Sequence, residues 1–314
     1  MHEHIARVMY YFSVHLLYAS AVGAAAWLLT SIRGASATTK YWIWVVTTFN
    51  FIVPVGATVD KAWGPHLQWA APLAALGGPI WDMTQGRTAI VLATIWSAGT
   101  LIMLMRLIAR LRREGRDAES AHLTSANRVP SGFAASSVTT DGIPVSFDAR
   151  HAAPAVSGIF YPRILLPMGV DRLLNQREFD AVLLHELAHA RRRDNLIRVL
   201  YELSLCAVWF HPLLWLAGAR MSLYRELSCD ETVIQRAHGT DLVAALAKLA
   251  VPDRALSLQA TASSHLSHRL AGLSGQLQAR RAASWLLASL FAAVIAAAIY
   301  GTVAHTACCF ILRH

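Results

Sequence analysis

Charged residues are scarce in this sequence of 314 residues. Lys, Arg, Asp and Glu make up 15% of it, hydrophobic residues make up 55%, and the mean hydropathy is +0.40. Soluble domains usually carry about 25% charged residues, so the deficit argues against a wholly soluble protein. Cysteine is scarce as well. Four cysteines in a chain of this length do not indicate the disulfide framework of a small secreted domain.

Long apolar runs account for the missing charge. Each is close to the length of about 20 residues that a transmembrane helix requires, and they predict spans at about 9–32, 41–59, 88–109 and 282–304. The third has the shortest uncharged stretch, at 88–105, and a buried helix in a soluble core is its alternative interpretation. The first run resembles a signal peptide, but it continues unbroken past the small residues at 19–21, so we expect an uncleaved signal anchor.

These runs divide the chain into three parts. Residues 1–110 hold the first three predicted spans and an outer loop at 60–86, residues 111–281 form a separate domain, and residues 282–314 hold the fourth span and a short outer tail. Basic residues cluster beside the third and fourth runs: Arg106, Arg110, Arg112, Arg113, Arg116, Arg280 and Arg281. The positive-inside rule therefore predicts a cytoplasmic domain at 111–281 and both termini outside. It also explains the formal charge of +9 without direct binding to nucleic acid.

The domain at 111–281 combines short strands with helices. Alternating or proline-bounded apolar segments predict strands near 143–147 and 158–167. Asn175 and Glu178 are typical of a capping box at the start of a helix. Further helices are predicted from near Asn195 to Phe210 and from 212 to 237. The stretch 203–219 carries no charge, so this helix pair is a candidate for partial entry into the membrane.

The sequence His185-Glu186-Leu187-Ala188-His189 carries the chemistry. Two histidines four residues apart lie on one face of a helix, as two nitrogen ligands of a tetrahedral zinc ion require. Glu186 is then placed to act as the general base that takes a proton from zinc-activated water. Two ordinary histidines on a helix are the alternative, but the capped, apolar helix favours one zinc ion per chain.

A third ligand has to come from a later helix. A metzincin would need Gly at 192 and His at 195, where this chain has Arg192 and Asn195. Glu226 and Asp230 are one helical turn apart, so Glu226 can bind zinc while Asp230 accepts the free N–H of a histidine ligand. A solvated acidic helix end is the alternative. Less favoured substitutes for the third ligand are Glu202 and Glu231.

Several segments together resemble one family. The zinc motif, Arg193-Asp194, Trp209-Phe210-His211-Pro212 and Arg225-Glu226-Leu227-Ser228-Cys229-Asp230 are similar to the membrane metallopeptidases of the BlaR/MecR sensor-transducers. The resemblance implies a gluzincin fold on the cytoplasmic side of a bacterial inner membrane, inserted between the third and fourth of four transmembrane helices. It implies Glu226 as the third zinc ligand. It also implies regulatory proteolysis, in which the chain cleaves itself or a transcriptional repressor.

One departure from that family concerns its sensor. Sensor-transducers continue into an outer penicillin-binding domain, whereas this sequence ends at His314, so we do not expect sensing by acylation. The alternative functions are an HtpX-like quality-control or prenyl-protein protease and, outside enzymes, a zinc-containing membrane receptor or scaffold.

The sequence does not decide the roles of several other residues. Tyr224, His211, Arg225 and His265 are all chemically able to stabilise an oxyanion. Asp194 either supports a ligand or forms an ion pair with Arg191 or Arg193. The strand near Val145 is a candidate for binding substrate by strand addition.

Overall fold

The computed structural model describes residues 2–32, 34–52, 86–124, 138–148, 151, 153–236, 238–249, 269 and 281–311. This part of the chain is mainly helical, as predicted. The predicted outer loop lies outside the described residues except for Gly86, and so do the end of the second predicted span, the last three residues of the tail and His265.

Three described helices are long and apolar enough to cross a membrane. Helix α1 (His2–Ser31) contains the candidate span Val8–Ser31, α3 (Gly86–Thr124) contains Arg87–Arg116, and α9 (Arg281–Ile311) contains Arg281–Gly301. They correspond to the first, third and fourth predicted spans. Helix α2 (Ala37–Asn50) covers only the beginning of the second predicted span. The number of four transmembrane helices therefore remains a prediction.

A small sheet and a group of helices lie between α3 and α9 in the chain. The strands are β1 (Val145–Asp148), β2 (Ala155–Ser157) and β3 (Arg163–Pro167), in the order β1-β3-β2, with β1 parallel and β2 antiparallel to β3. Then follow α4 (Val170–Leu173), α5 (Gln176–Arg192), α6 (Asp194–Ala207), α7 (Pro212–Gln235) and α8 (Gly239–Leu249). The predicted strands and helices near 143–237 correspond to β1, β3, α5, α6 and α7, whereas β2, α4 and α8 were not predicted.

Helix α5 forms the centre of this group. It begins with the predicted capping box: Glu178 N–H donates to Asn175 Oδ1 and Asn175 N–H donates to the Glu178 carboxylate, both at 2.9 Å. Its apolar residues pack on the sheet and on α7 and α8 in one core. That core includes Phe147, Ile164, Leu166, Phe179, Leu183, Leu187, Val233 and Leu242. Burial on several sides fixes the rotation of α5 and the direction in which its histidines point.

Helix α7 connects this group of strands and helices to the first helices of the chain by packing. Its interface with α2 is the most extensive between two described elements, and Tyr41 and Trp44 of α2 are 1% exposed within it. The carboxylate of Glu231 accepts backbone N–H groups of Ala37, at 2.6 Å, and Thr38, at 3.2 Å. A negative charge at the start of α2 is favourable because the first N–H groups of a helix lack partners.

Gly218 allows α6 and α7 to approach closely. A Cβ atom at this position would overlap the ring and hydroxyl of Tyr201. We expect Gly218→Ala to lower the free energy of unfolding by about 1–3 kcal/mol, the usual cost of overpacking, as measured by thermal unfolding in detergent.

Gly115→Ala is the matched control, because nothing lies within 4 Å of a Cβ at this exposed helical position. We expect it to raise stability by about 0.5–1 kcal/mol. Equal unfolding temperatures for both variants would show that Gly218 is not a contact point.

Candidate metal and catalytic site

The two ends of α5 have different structural roles. The capped N-terminus anchors the helix, and the C-terminal part carries His185, Glu186 and His189 into a cavity of about 380 Å³. The cavity is also lined by β2, α6, α7 and α8. His185 is 5% and Glu186 9% exposed, so both are largely shielded from bulk solvent.

The structure brings three predicted residues together. The Nε2 atoms of His185 and His189 are 3.2 Å apart, and Oε2 of Glu226 lies 3.6 Å from the first and 3.8 Å from the second. Tetrahedral zinc with bonds of about 2.0–2.1 Å needs ligand atoms about 3.3 Å apart. The three atoms form a triangle of suitable size for one metal ion, and the donor set of two imidazoles and a carboxylate is one that zinc accepts.

Glu226 is turned toward the histidines by a neighbouring cation. The Arg225 guanidinium donates to Glu226 Oε1 at 3.0 and 3.1 Å, which leaves Oε2 for the cavity. Burial would raise the pKa of Glu226, but His185, His189 and Arg225 more than offset it and hold the pKa well below its usual value. Arg225 therefore acts here on Glu226, while its role toward an oxyanion stays a prediction.

Each histidine meets a second carboxylate on its other ring nitrogen. Nδ1 of His189 is hydrogen-bonded to Asp194 Oδ2 at 2.6 Å. Nδ1 of His185 lies 3.1 Å from Asp230 Oδ1, close enough for an ion pair but without the geometry of a hydrogen bond. A proton on each Nδ1 leaves the Nε2 lone pairs free for the shared point. Without a cation between them two such lone pairs at 3.2 Å would repel each other, and so the residues present fit a bound metal.

Asp194 makes more contacts at the site than the sequence analysis predicted. It is 5% exposed, and its cationic partner is Arg192, at 2.6 Å to each oxygen, so the predicted pairing with Arg191 or Arg193 is wrong. The Tyr41 hydroxyl also donates to Asp194, at 3.0 Å. Burial would raise the pKa of Asp194, but donation from Arg192 and His189 holds it below its usual value.

Arg269 is a further residue that the sequence did not reveal. Its guanidinium donates to both oxygens of Asp230, each at 2.9 Å, and Nη1 lies 3.8 Å from Glu226 Oε2. Burial would raise the pKa of Asp230, but His185 and Arg269 hold it below its usual value. A lone arginine 39 positions after Asp230 carries no local signal, so only the folded chain brings it here.

Other candidate residues lie elsewhere. Tyr224 donates to the Thr30 carbonyl at 3.2 Å, and His211 Nε2 lies 3.0 Å from Ser20 Oγ. Glu202 pairs with Arg110, and Glu231 caps α2. These contacts do not bring the four side chains into the cavity, which is lined by none of them.

Of the two outer strands of the described sheet, β2 borders the cavity. Ala155 and Val156 line the cavity, whereas no residue of β1 does, so the proposal of strand addition near Val145 moves to β2. The Asn195 side chain donates to the carbonyls of Val156, at 2.8 Å, and Gly158, at 3.1 Å, and thereby fixes this strand to α6.

A second cluster on the other side of His189 competes for a metal. His189 Nδ1, Asp194 and Cys229 also lie close enough to share an ion, with Cys229 Sγ 3.4 Å from His189 Nδ1. Burial raises the pKa of the Cys229 thiol, and only the thiolate is a good ligand. Arg192 also donates to both Asp194 oxygens and to Cys229 Sγ. The cluster of His185, His189 and Glu226 is therefore the better site.

Comparison with known proteins identifies the family. Residues 12–273 match the family described as BlaR1 peptidase M56. This chain belongs to that family. The finding confirms the resemblance to BlaR/MecR-type peptidases and, with the apolar helices, a membrane peptidase related to signal-transducing proteins.

Two kinds of relative are similar to this chain over part of its length. The methicillin resistance mecR1 proteins of Staphylococcus aureus and Staphylococcus epidermidis are each 27% identical over 145 residues, which is 45% of this chain and 24% of the relative. The regulatory protein BlaR1 of Bacillus licheniformis is 35% identical over 83 residues, 26% of this chain and 14% of the relative. The matches span less than a quarter of these relatives.

The contact between Asp194 and His189 generates a prediction. We expect Asp194→Asn to weaken zinc binding by about 10–100-fold, the usual cost of removing a carboxylate that orients a histidine ligand. Tyr41→Phe removes one neutral donor, worth about 1 kcal/mol, so its effect has the same direction and is smaller. Competition with a chromogenic chelator measures both.

Asp141→Asn is the control for this series. Asp141 has a φ of 50°, which asparagine also tolerates, and it forms an exposed ion pair with Arg191. Zinc affinity should not change. An Asp194→Asn protein that binds zinc as tightly as the Asp141→Asn protein would show that Asp194 does not support the ligand.

Proposed function

We propose that this chain is an integral membrane zinc endopeptidase that hydrolyses peptide bonds in a protein substrate during regulatory proteolysis. His185, His189 and Glu226 hold the zinc, Glu186 is the catalytic base, and Asp230 supports His185. The observation that carries the proposal is the convergence of two Nε2 atoms and one carboxylate oxygen within 3.2–3.8 Å in the cavity that Glu186 also lines.

The chain's own residues have distinct tasks in this reaction. When bound, zinc supplies a Lewis acid that polarises the scissile carbonyl and makes water a better nucleophile. Glu186 accepts the proton of the attacking water and then donates it to the amine nitrogen as the C–N bond breaks. Asp230 and Asp194 hold the two imidazoles in the tautomer that directs Nε2 at the metal.

The shape of the cavity fits an extended peptide. The backbone of β2 runs along its wall, where the carbonyls of Val156 and Gly158 accept the Asn195 side chain. An antiparallel segment of substrate can add to this edge when it displaces that side chain. A second cavity, of about 560 Å³, continues past the same edge and shares Val156, Asn195 and Arg198 with the first. Two adjoining cavities along β2 are consistent with a peptide substrate that extends beyond the scissile bond, as in an endopeptidase.

The biological setting is proposed from family membership. Repressor cleavage or self-cleavage, with the active site on the cytoplasmic side and both termini outside, follows the sequence prediction. A structural zinc site in a receptor or scaffold is less favoured, because such a site does not need a buried acid beside its ligands, whereas Glu186 is buried there.

Substitution of Glu186 separates metal binding from catalysis. In detergent-solubilised full-length protein, we expect Glu186→Gln to keep one zinc ion per chain, while cleavage of the chain itself or of casein falls by at least about 100-fold. His185→Ala should lose both zinc and cleavage. Zinc is measured by elemental analysis, and cleavage products by mass spectrometry.

Glu202→Gln is the matched control. Glu202 lies in the C-terminal half of α6, forms an ion pair with Arg110 and does not line the cavity. It should retain zinc and cleavage. Undiminished turnover by the Glu186→Gln protein would refute the assigned mechanism, and loss of zinc from the Glu202→Gln protein would refute the assigned ligand set.

A further inference from the structure

The turn between α6 and α7 has the surface of a membrane element. The stretch Leu203–Ala219, here called the apolar hairpin, contains no Asp, Glu, Lys or Arg. Its exposed residues are all apolar: Leu203, Phe210, Pro212, Trp215 and Ala219. A hairpin that faced water would place polar groups outward, so this pattern is that of a surface in contact with lipid.

The tip of the hairpin contacts the middle of two candidate spans. Trp209 packs against Gly99 of α3 so closely that a Cβ there would overlap the indole, and Gly99 is near the centre of the uncharged run 88–105. On α1, Ser20 Oγ lies 3.0 Å from His211 Nε2, near the centre of Val8–Ser31. Because the midpoints of two spans mark the bilayer centre, the tip lies near that depth.

The non-helical turn also meets the main requirement for entering hydrocarbon. Backbone groups in a bilayer need partners within the protein. The Ala207 carbonyl accepts the indole N–H of Trp96 at 2.7 Å, and the Trp209 carbonyl accepts that of Trp215 at 2.8 Å. The N–H groups of Val208 and His211 donate to the carbonyls of residues 204 and 208. The carbonyls of Ala207 and Trp209 are thus satisfied by indoles, whereas His211 Nδ1 is buried without a hydrogen-bond partner among the described residues.

Charged residues flank the apolar hairpin at a distance from its tip close to half of the hydrocarbon thickness. Glu202 and Arg220 are the first charged residues on either side of His211. On the α7 side, the nine residues to Arg220 correspond to about 13 Å along a helix. Half of the hydrocarbon thickness is about 15 Å. Glu202 pairs with Arg110 at the basic end of α3, so the base of the hairpin and the end of that span lie at the same level.

We propose that the apolar hairpin is a re-entrant element inserted into the bilayer from the side on which α3 carries its arginines. Its tip reaches the bilayer centre, and the side chains of Phe210 and Trp215, 45% and 49% exposed, contact lipid acyl chains. This insertion does not depend on the proposed function.

Insertion fixes the height of the metal site above the membrane. Glu226 is about 15 residues beyond His211 along α7, or about 22 Å, which is beyond the edge of the hydrocarbon at about 15 Å. Combined with the proposed function, this height means that the enzyme cleaves peptide segments at the level of the lipid headgroups.

Depth-dependent fluorescence quenching tests the insertion in the full chain, reconstituted in phosphatidylcholine vesicles. A genetically encoded fluorescent amino acid replaces Phe210, with Leu101 as the mid-span control and Ile234, at the far end of α7, as the control outside the bilayer. The lipids carry bromine either near the ends of the acyl chains or near the headgroups.

We expect emission from position 210 to fall more with the deep bromines than with the shallow ones, as at position 101. Emission from position 234 should fall with neither. The proposal would be overturned if emission from position 210 did not fall with either lipid, or fell more with the shallow bromines. The same measurement at Trp215 replaces position 210 where that variant does not fold. Neither outcome bears on whether Glu186 is catalytic.

Discussion

The two imidazoles of α5 direct Nε2 at one point, and buried carboxylates from other helices lie beside their Nδ1 atoms. Asp230 of α7 meets His185 at 3.1 Å, and Asp194, the first residue of α6, meets His189 at 2.6 Å. Two histidines one turn apart share a face of any helix, but free rotation of the rings would leave the metal site undefined. The relative placement of α5, α6 and α7 therefore decides whether the site exists.

Burying these carboxylates has a cost that distant parts of the chain offset. An unpaired buried charge is strongly destabilising, and each acid here has a cationic partner: Arg192 for Asp194 and Arg269 for Asp230. Arg192 also stacks over Tyr41, with its guanidinium carbon 4.3 Å from the ring centroid. In this way α2, which covers the beginning of the second predicted span, contributes directly to the surroundings of a proposed zinc ligand. A displacement of α2 would change the contacts of Asp194, because Tyr41 donates to it.

How much the sequence reveals depends on how local the signal is. The spacing of His185 and His189, and the capping box that starts their helix, are visible within a few residues, and both appear in the structure as expected. Asp194 was hard to interpret because the turn before it relies on Arg193 in the left-handed region, at φ 57°, which residue type alone does not predict. Arg269 reaches the site through tertiary packing over a long separation in sequence, which leaves no periodic pattern. The membrane contact of 203–219 was open for a similar reason, since only its neighbours α1 and α3 show how deep it lies.

Two sides of His189 can hold a metal, and X-ray absorption at the zinc edge of the purified protein distinguishes them most directly. The account predicts a first shell of nitrogen and oxygen only, at about 2.0–2.1 Å, with the multiple scattering of two imidazoles. One oxygen ligand should be lost in Glu226→Ala. A sulfur scatterer at about 2.3 Å, which would indicate Cys229 on the opposite side of the ring, or a shell with a single imidazole would contradict the central claim.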